Sequence, residues 1–228
     1  MAIQSVAGAA LGLAVEPARA AQDPRLKMDL GDPKQNLRAF TRVFADTDPA
    51  KIAVGWYSGT AFAVIGDSKK LQPLYGVEGI GVRRTQELPS GGYRIFNREL
   101  AFYKDLKTGA YLDTWDNPLN GEKCEAFPIQ NMFVNAETAP IFEFDMEGTK
   151  VRQPFNPPWS FAGDWAMSLF EVHQSVKSEL QPAEWPRESA GEFVRISEVF
   201  HRHCRIDDLN NEALTSVPTH GTWVRLAS

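Results

Sequence analysis

Lys51-Ile52-Ala53-Val54-Gly55-Trp56-Tyr57-Ser58-Gly59-Thr60-Ala61-Phe62-Ala63-Val64-Ile65 changes character at every step. Ile52, Val54, Trp56, Thr60, Phe62 and Val64 fall on one side, and Ala53, Gly55, Gly59, Ala61 and Ala63 on the other. Successive side chains of a strand point to opposite faces, so a period of two predicts a strand. The pattern recurs outward from this stretch. Further strands are predicted over roughly 71–86, 93–105, 110–115, 122–135, 141–147 and 150–153. Gly66-Asp67-Ser68, Pro89-Ser90-Gly91-Gly92, Lys107-Thr108-Gly109 and Asn117-Pro118-Leu119-Asn120-Gly121 separate the earlier ones. Each supplies residues that tolerate the backbone angles of a tight reversal, Asn120-Gly121 being the strongest hairpin signal.

A long antiparallel meander rich in aromatics closes most economically into a barrel with a lined interior. The expected fold is therefore all-β: a meander closing into a calycin-like β-barrel, with one N-terminal amphipathic helix. Asp32-Pro33 offers an N-cap followed by proline at the first helical position, and Leu37, Phe40, Val43 and Phe44 then repeat at helical spacing. That predicts a helix over Pro33–Phe44, plugging or flanking one end of the barrel. Phe155-Asn156-Pro157-Pro158-Trp159 interrupts the meander, and residues 159–175 resume it as one or two strands. Residues 180–192, with Pro182 and Pro186, read as a surface loop. Alternation returns over 192–203, a short helix is expected over 206–213, and a strand begins at Thr222. The resulting organisation is a leader remnant over 1–20, an extension with the helix over 21–50, and one barrel domain over 51–228.

With 43% hydrophobic and 23% charged residues the chain reads as globular, not disordered. A formal net charge of -5 gives no support to nucleic-acid binding, which needs a basic face. Lys69-Lys70 and Arg83-Arg84 read as solvated strand ends. No apolar run approaches the ~20 residues that span a bilayer. Ser5–Val15 is uncharged and aliphatic, Glu16-Pro17 breaks it, and Ala18-Arg19-Ala20 has the small-x-small form of a cleavage site. The positive segment that normally opens such a leader is missing. Export, to the periplasm, is the expectation, with an Ala/Gly tail as the alternative. Cys124 and Cys204 do not make a disulfide framework and are expected to be free thiols.

No Gly-x-Gly-x-x-Gly, phosphate loop, Gly-x-Ser-x-Gly or His-Glu-x-x-His occurs, so no nucleotide cofactor or standard hydrolase machinery is expected, and no cofactor is assigned. His201 and His203 share a strand face and would chelate a metal only with a third ligand; two ligands define no site, and no metal is assigned. Glu78 and Glu99 lie within strands of mostly apolar or glycine neighbours, with Arg83, Arg84 and Arg98 available as partners. If both carboxylates face the lumen, burial raises a pKa and makes a general acid or base near neutral pH. The structural alternative is a cross-strand Glu–Arg pair that only holds the sheet. Trp56, Tyr57, Tyr75, Tyr103, Trp115 and Trp159 are candidates to line an apolar cavity, and Asn131 joins the ligand-binding set. Aromatics also fill strands for packing alone.

Trp115-Asp116-Asn117-Pro118-Leu119-Asn120-Gly121-Glu122, with Trp56-Tyr57-Ser58-Gly59, Val77-Glu78-Gly79, Gly92-Tyr93 and Glu99 through Tyr103, resembles the family known as domain of unknown function 1838. The resemblance covers roughly Asp29 to the C-terminus. It implies an exported or soluble β-rich domain, often behind a signal peptide, and carries no settled activity. The family's pattern has a His and an Asn-Asp-Pro-type stretch after the hairpin. Here Phe127–Asn135 reads otherwise, so chemistry through that His is not expected. The expected function is binding of a small apolar or aromatic molecule in the interior, with cofactor-free lyase or isomerase chemistry. In it Glu78 or Glu99 moves a proton, Arg83 or Arg98 holds an anion, and Tyr57 and Tyr103 orient the substrate. A non-catalytic carrier and a sheet-edge interaction module are the alternatives. A homodimer is left open.

Overall fold

The structure is a computed structural model that describes residues 23–64, 70–118, 120–146, 149–178, 180–186, 189 and 191–227; the side chains of 131–134, 144–146 and 149 lie outside that description. The leader 1–20 and the turn Gly66-Asp67-Ser68 likewise lie outside the described residues. The chain is mostly β and antiparallel. In order come α1 (Pro33–Phe44), β1 (Ala53–Val64), β2 (Leu71–Glu87), β3 (Tyr93–Lys104), β4 (Thr114–Asp116), β5 (Lys123–Glu125), β6 (Ile129–Thr138), β7 (Ile141–Met146), β8 (Thr149–Pro154), β9 (Trp159–Ala162), β10 (Trp165–Lys177), β11 (Phe193–Arg205), α2 (Ile206–Asn210) and β12 (His220–Ala227). No helix among the described residues is long and apolar enough to cross a membrane.

The strands form two four-stranded sheets, in the orders β1-β2-β3-β6 and β12-β11-β10-β9, and two hairpins, β4-β5 and β7-β8. Barrel closure, expected from the meander, is not seen: each four-stranded sheet keeps two edge strands. Four strands are too few to close around an interior. The run is cut where proline removes a ladder donor. Pro128 splits the single strand expected over 122–135 into β5 and β6, and Pro157-Pro158 precede β9.

By compactness the chain divides into two units, Phe44–Ala139 and the remainder, which joins the chain up to Val43 with Pro140 onward. In the second of these, α1 begins as the sequence dictates. The Asp32 carboxylate accepts a hydrogen bond from the Gln35 backbone N–H at 2.9 Å, filling one of the vacant donors of a helix start. The buried face of α1 carries Leu37, Ala39, Phe40 and Val43. Ala39 and Val43 join Leu26, Leu30, Trp159, Ala166, Cys204, Ile206, Leu209 and Val217 in one core cluster. The helix is thus a core element of this unit rather than a barrel plug. Phe40 meets Phe155 and Phe170 with ring centroids 5.2 and 5.3 Å apart, an edge-on and tilted arrangement that aromatic quadrupoles favour.

Two buried polar side chains of α1 are each held by several hydrogen bonds. Asn36 donates to Leu30 O at 2.8 Å and Asn156 Oδ1 at 2.9 Å and accepts from Trp159 Nε1 at 2.9 Å. Arg42 donates to the carbonyls of Leu209, Leu214, Asp208 and Asn211. Both cysteines are free. Cys204 is buried, which pushes its thiol up to about 12 and leaves it inert near neutral pH.

In the unit Phe44–Ala139, β1, β2, β3 and β6 pair in register, with β4-β5 as an excursion between β3 and β6. The hairpin expected around Asn120-Gly121 forms, with Trp115 opposite Cys124 and Gly121 at φ 75, a conformation glycine adopts without cost.

Candidate active site

Cross-strand register decides which of the expected site residues can meet. Glu78 pairs with Ser58 on one side and Phe102 on the other, whereas Glu99 pairs with Gly81. Direct partners share a face and neighbours along a strand alternate. Glu78 and Glu99 therefore project from opposite faces of the sheet, which corrects the expectation that both enter one interior. The arginines divide the same way. Arg83 opposes Asn97, on the Glu99 face, and Arg98 opposes Val82, on the Glu78 face.

On the Glu78 face the carboxylate is already held. Lys104 Nζ donates to Glu78 Oε2 at 2.5 Å, and Trp56 Nε1 reaches Oε1 at 3.4 Å. The Lys104 hydrogen bond is the main reason Glu78 titrates below its ordinary value, opposite to the rise expected from burial. Glu78 is a cross-strand ion pair with Lys104, not the Glu–Arg pair anticipated. A depressed carboxyl favours the native state above the ordinary carboxylate range, and that contribution is lost as pH falls through the lowered value. Glu78→Gln is accordingly expected to flatten the acid limb of a plot of Tm against pH. A limb identical to the parent's would remove this role. An open depression of about 380 Å³ is lined by Ile80, Val82, Arg98, Glu99, Leu100 and Gln130.

The Glu99 face is different. Its central strand, β2, offers Gly79 and Gly81 at successive inward positions, and Gly55 of β1 lies beside Gly81. Alternate strands are roughly 10 Å apart, a span side chains cross only when nothing stands between. The glycines clear that space. Tyr57 of β1 lies over Gly79, where an added Cβ would come within 2.7 Å of its ring and hydroxyl. Glu99 of β3, opposite Gly81, shares that face. Burial first, and then the neighbouring Glu99 carboxylate, raise Tyr57 well above the ordinary tyrosine range, so its hydroxyl stays a donor across physiological pH. Arg83 rests over the other two glycines: built Cβ atoms at Gly55 and Gly81 would lie 3.4 and 3.3 Å from its guanidinium nitrogens. The guanidinium stacks on the Phe44 ring at 4.4 Å, and the buried Asn97 Oδ1 lies 3.7 Å from the Cβ built at Gly81.

Aromatics extend this face along the strands. Tyr103 pairs with Val77, next but one to Ala101 opposite Gly79. The Tyr75 ring meets Tyr103 at 5.1 Å and Trp115 at 5.3 Å, both edge-on. Trp115 is fixed by its own Nε1–H to Leu74 O at 3.3 Å. Of the expected ligand-binding residues, Tyr57, Tyr103 and Trp115 thus fall into one group with Tyr75. Trp56 does not, being the neighbour of Tyr57 and 65% exposed on the other face. Trp159 belongs to the core of the other unit, its indole satisfied by Asn36. Asn131 lies in β6, and its side chain is outside the described residues.

Sequence reading did not single out the glycine strip or Lys104. Gly55, Gly79 and Gly81 stand at alternate positions of β1 and β2, a spacing that signals a cleared face once the strands are paired. No alternation within one strand reveals the partner of Glu78. The arrangement offers a carboxylate, a protonated phenol and a guanidinium on one glycine-floored face edged by aromatic rings. No curated protein and no solved structure matches the chain. Residues 50–228, more than half of the chain, match the model of the family described as protein of unknown function (DUF1838), and the chain belongs to that family.

Proposed function

We propose that the Glu99 face binds a small, largely apolar or aromatic carbonyl compound and moves a proton on it without a cofactor. The observation that carries this reading is the placement of Tyr57, Glu99 and Arg83 on one sheet face floored by Gly79 and Gly81. Glu99 takes a proton from the carbon beside the carbonyl, and the C–H electron pair passes into the enolate. Arg83 holds the enolate oxygen, and Tyr57 fixes the orientation of the carboxylate. Return of the proton from Glu99 to a different carbon gives an isomer; loss of a leaving group from the enolate gives a lyase product. Tyr103, Tyr75 and Trp115 supply the apolar contact area. One sheet face is sufficient, so the reading requires no closed barrel. Export to the periplasm belongs to the same proposal and rests on the Ser5–Ala20 pattern.

The carrier reading is favoured by the depression in which Ile80, Val82 and Leu100 lie beside Arg98 and Glu99, whose apolar part suits a small molecule bound without chemistry. Solvent-deuterium exchange into a panel of aromatic and aliphatic ketones separates the two. The parent and Glu78→Gln should exchange alike, and Glu99→Gln should fall by roughly 10²–10⁴-fold. Ligands that bind and shift Tm without exchange in any variant would leave the carrier. Exchange undiminished in Glu99→Gln would remove Glu99 as the base.

A further inference from the structure

Three of the four histidines of the chain meet on one face of the sheet β12-β11-β10-β9. His203 of β11 is paired directly with His220 of β12, and His201 lies two residues before His203 on the same strand, opposite Thr222. All three therefore point to one side. Their rings are already neighbours, with centroids 5.7 Å apart for His201 and His203 and 6.2 Å for His203 and His220. On the β10 side the register partners are Leu169 and Met167, and the Trp165 ring lies 5.9 Å from His203. The cluster thus has an apolar wall along one flank and the exposed strand β12 along the other.

We infer that His201, His203 and His220 bind one divalent first-row metal ion, zinc foremost. The geometry is that of three imidazoles from two adjacent antiparallel strands, two of them at alternate positions. Cβ atoms directly opposite each other stand about 5 Å apart, and those at alternate positions about 7 Å apart. Zinc takes imidazole nitrogens at about 2.0–2.1 Å in a tetrahedron, which holds the ring centroids roughly 5 Å apart. The observed separations exceed that by about an ångström. As placed, no three His, Cys, Asp or Glu side chains among the described residues are set to hold an ion. The remaining approach is rotation about χ1 and χ2, because the register already fixes the Cβ triangle. A metal-binding imidazole must be neutral. Three protein ligands leave the fourth position open to water or an anion. This inference is independent of the Tyr57–Glu99 reading.

Chelator-treated protein titrated with Zn²⁺ by calorimetry and with Co²⁺ by visible absorption tests it. One equivalent should bind, with the d–d bands of a tetrahedral site. His220→Gln, on an exposed strand, and His203→Ala should each weaken binding by roughly tenfold or more. His173→Ala should not, since His173 is placed apart against Ser197. Imidazole nitrogen resonances of the parent provide a readout without any variant: those of residues 201, 203 and 220 should shift together on zinc addition, and that of His173 should stay. Absence of binding, unchanged affinity in His220→Gln, or unmoved resonances would overturn the site.

Discussion

Gly79→Ala is expected to destabilise the unit Phe44–Ala139 by about 1–3 kcal/mol and to expel Tyr57 from Glu99. A methyl built at Gly79 stands 2.5 Å from the Leu100 carbonyl oxygen and 2.7 Å from Tyr57 Cζ and hydroxyl. The first of these atoms is backbone of β3, which is paired with β2, so it yields only if β2 and β3 part. Alanine for glycine also reduces unfolded-chain entropy, a gain of about 0.4–1 kcal/mol, too small to offset the collision. Gly59, two positions along β1 from Tyr57, is the internal comparison: nothing lies within 4 Å of its built Cβ. Gly59→Ala should be neutral or stabilising by that same margin. Urea unfolding of both variants, with near-ultraviolet circular dichroism to follow the Tyr57 environment, checks the pair. Equal stability of the two would mean the glycine strip is not required.

Arg42→Ala should be more damaging, by roughly 3–5 kcal/mol, or a fall in Tm of roughly 10 °C. The carbonyls at the end of a helix have no partner within it, and α2 spans only Ile206–Asn210. Arg42 supplies what is missing: it reaches Leu209 O and Leu214 O at 2.8 Å, Asn211 O at 2.6 Å and Asp208 O at 3.1 Å, from a side chain within a residue only 4% exposed. Truncation leaves the buried Leu209 O and three part-buried acceptors without this donor, and each buried acceptor left unpaired costs about 1–3 kcal/mol. Arg94 is a contrasting arginine. Its pair with Glu137 is between side chains 43% and 58% exposed, and Arg94→Ala should change stability by less than about 1 kcal/mol. Thermal unfolding of the two variants side by side makes the comparison.

The strands were legible because alternation is local. Helix α1 spans the predicted Pro33–Phe44, and β3 begins at the predicted Tyr93, because capping and period-two patterns are written in consecutive residues. Closure was not legible. Whether a meander continues or divides into separate sheets depends on a few ladder donors, and Pro128 and Pro157-Pro158 remove them at two points. The candidate site was half legible. Glu99, Tyr57, Tyr103 and Arg83 could be named from strand character, but their grouping depends on register, which a sequence states only through its turns. A shift of one residue between β2 and β3 would have brought Glu78 and Glu99 to the same side. His220 was overlooked as the companion of His201 and His203 for the same reason: it is 17 positions beyond His203 in sequence and directly opposite it in the sheet.

The pairing of Tyr57 with Glu99 is open to direct measurement through the ionisation of the Tyr57 ring, followed by NMR of isotope-labelled tyrosine against pH. Tyr57 should remain protonated well beyond the ordinary tyrosine value of ~10, and Glu99→Gln should lower its titration without fully restoring it, since burial is the larger cause. A Tyr57 ring that ionises in the ordinary range, unmoved by Glu99→Gln, would contradict the pairing.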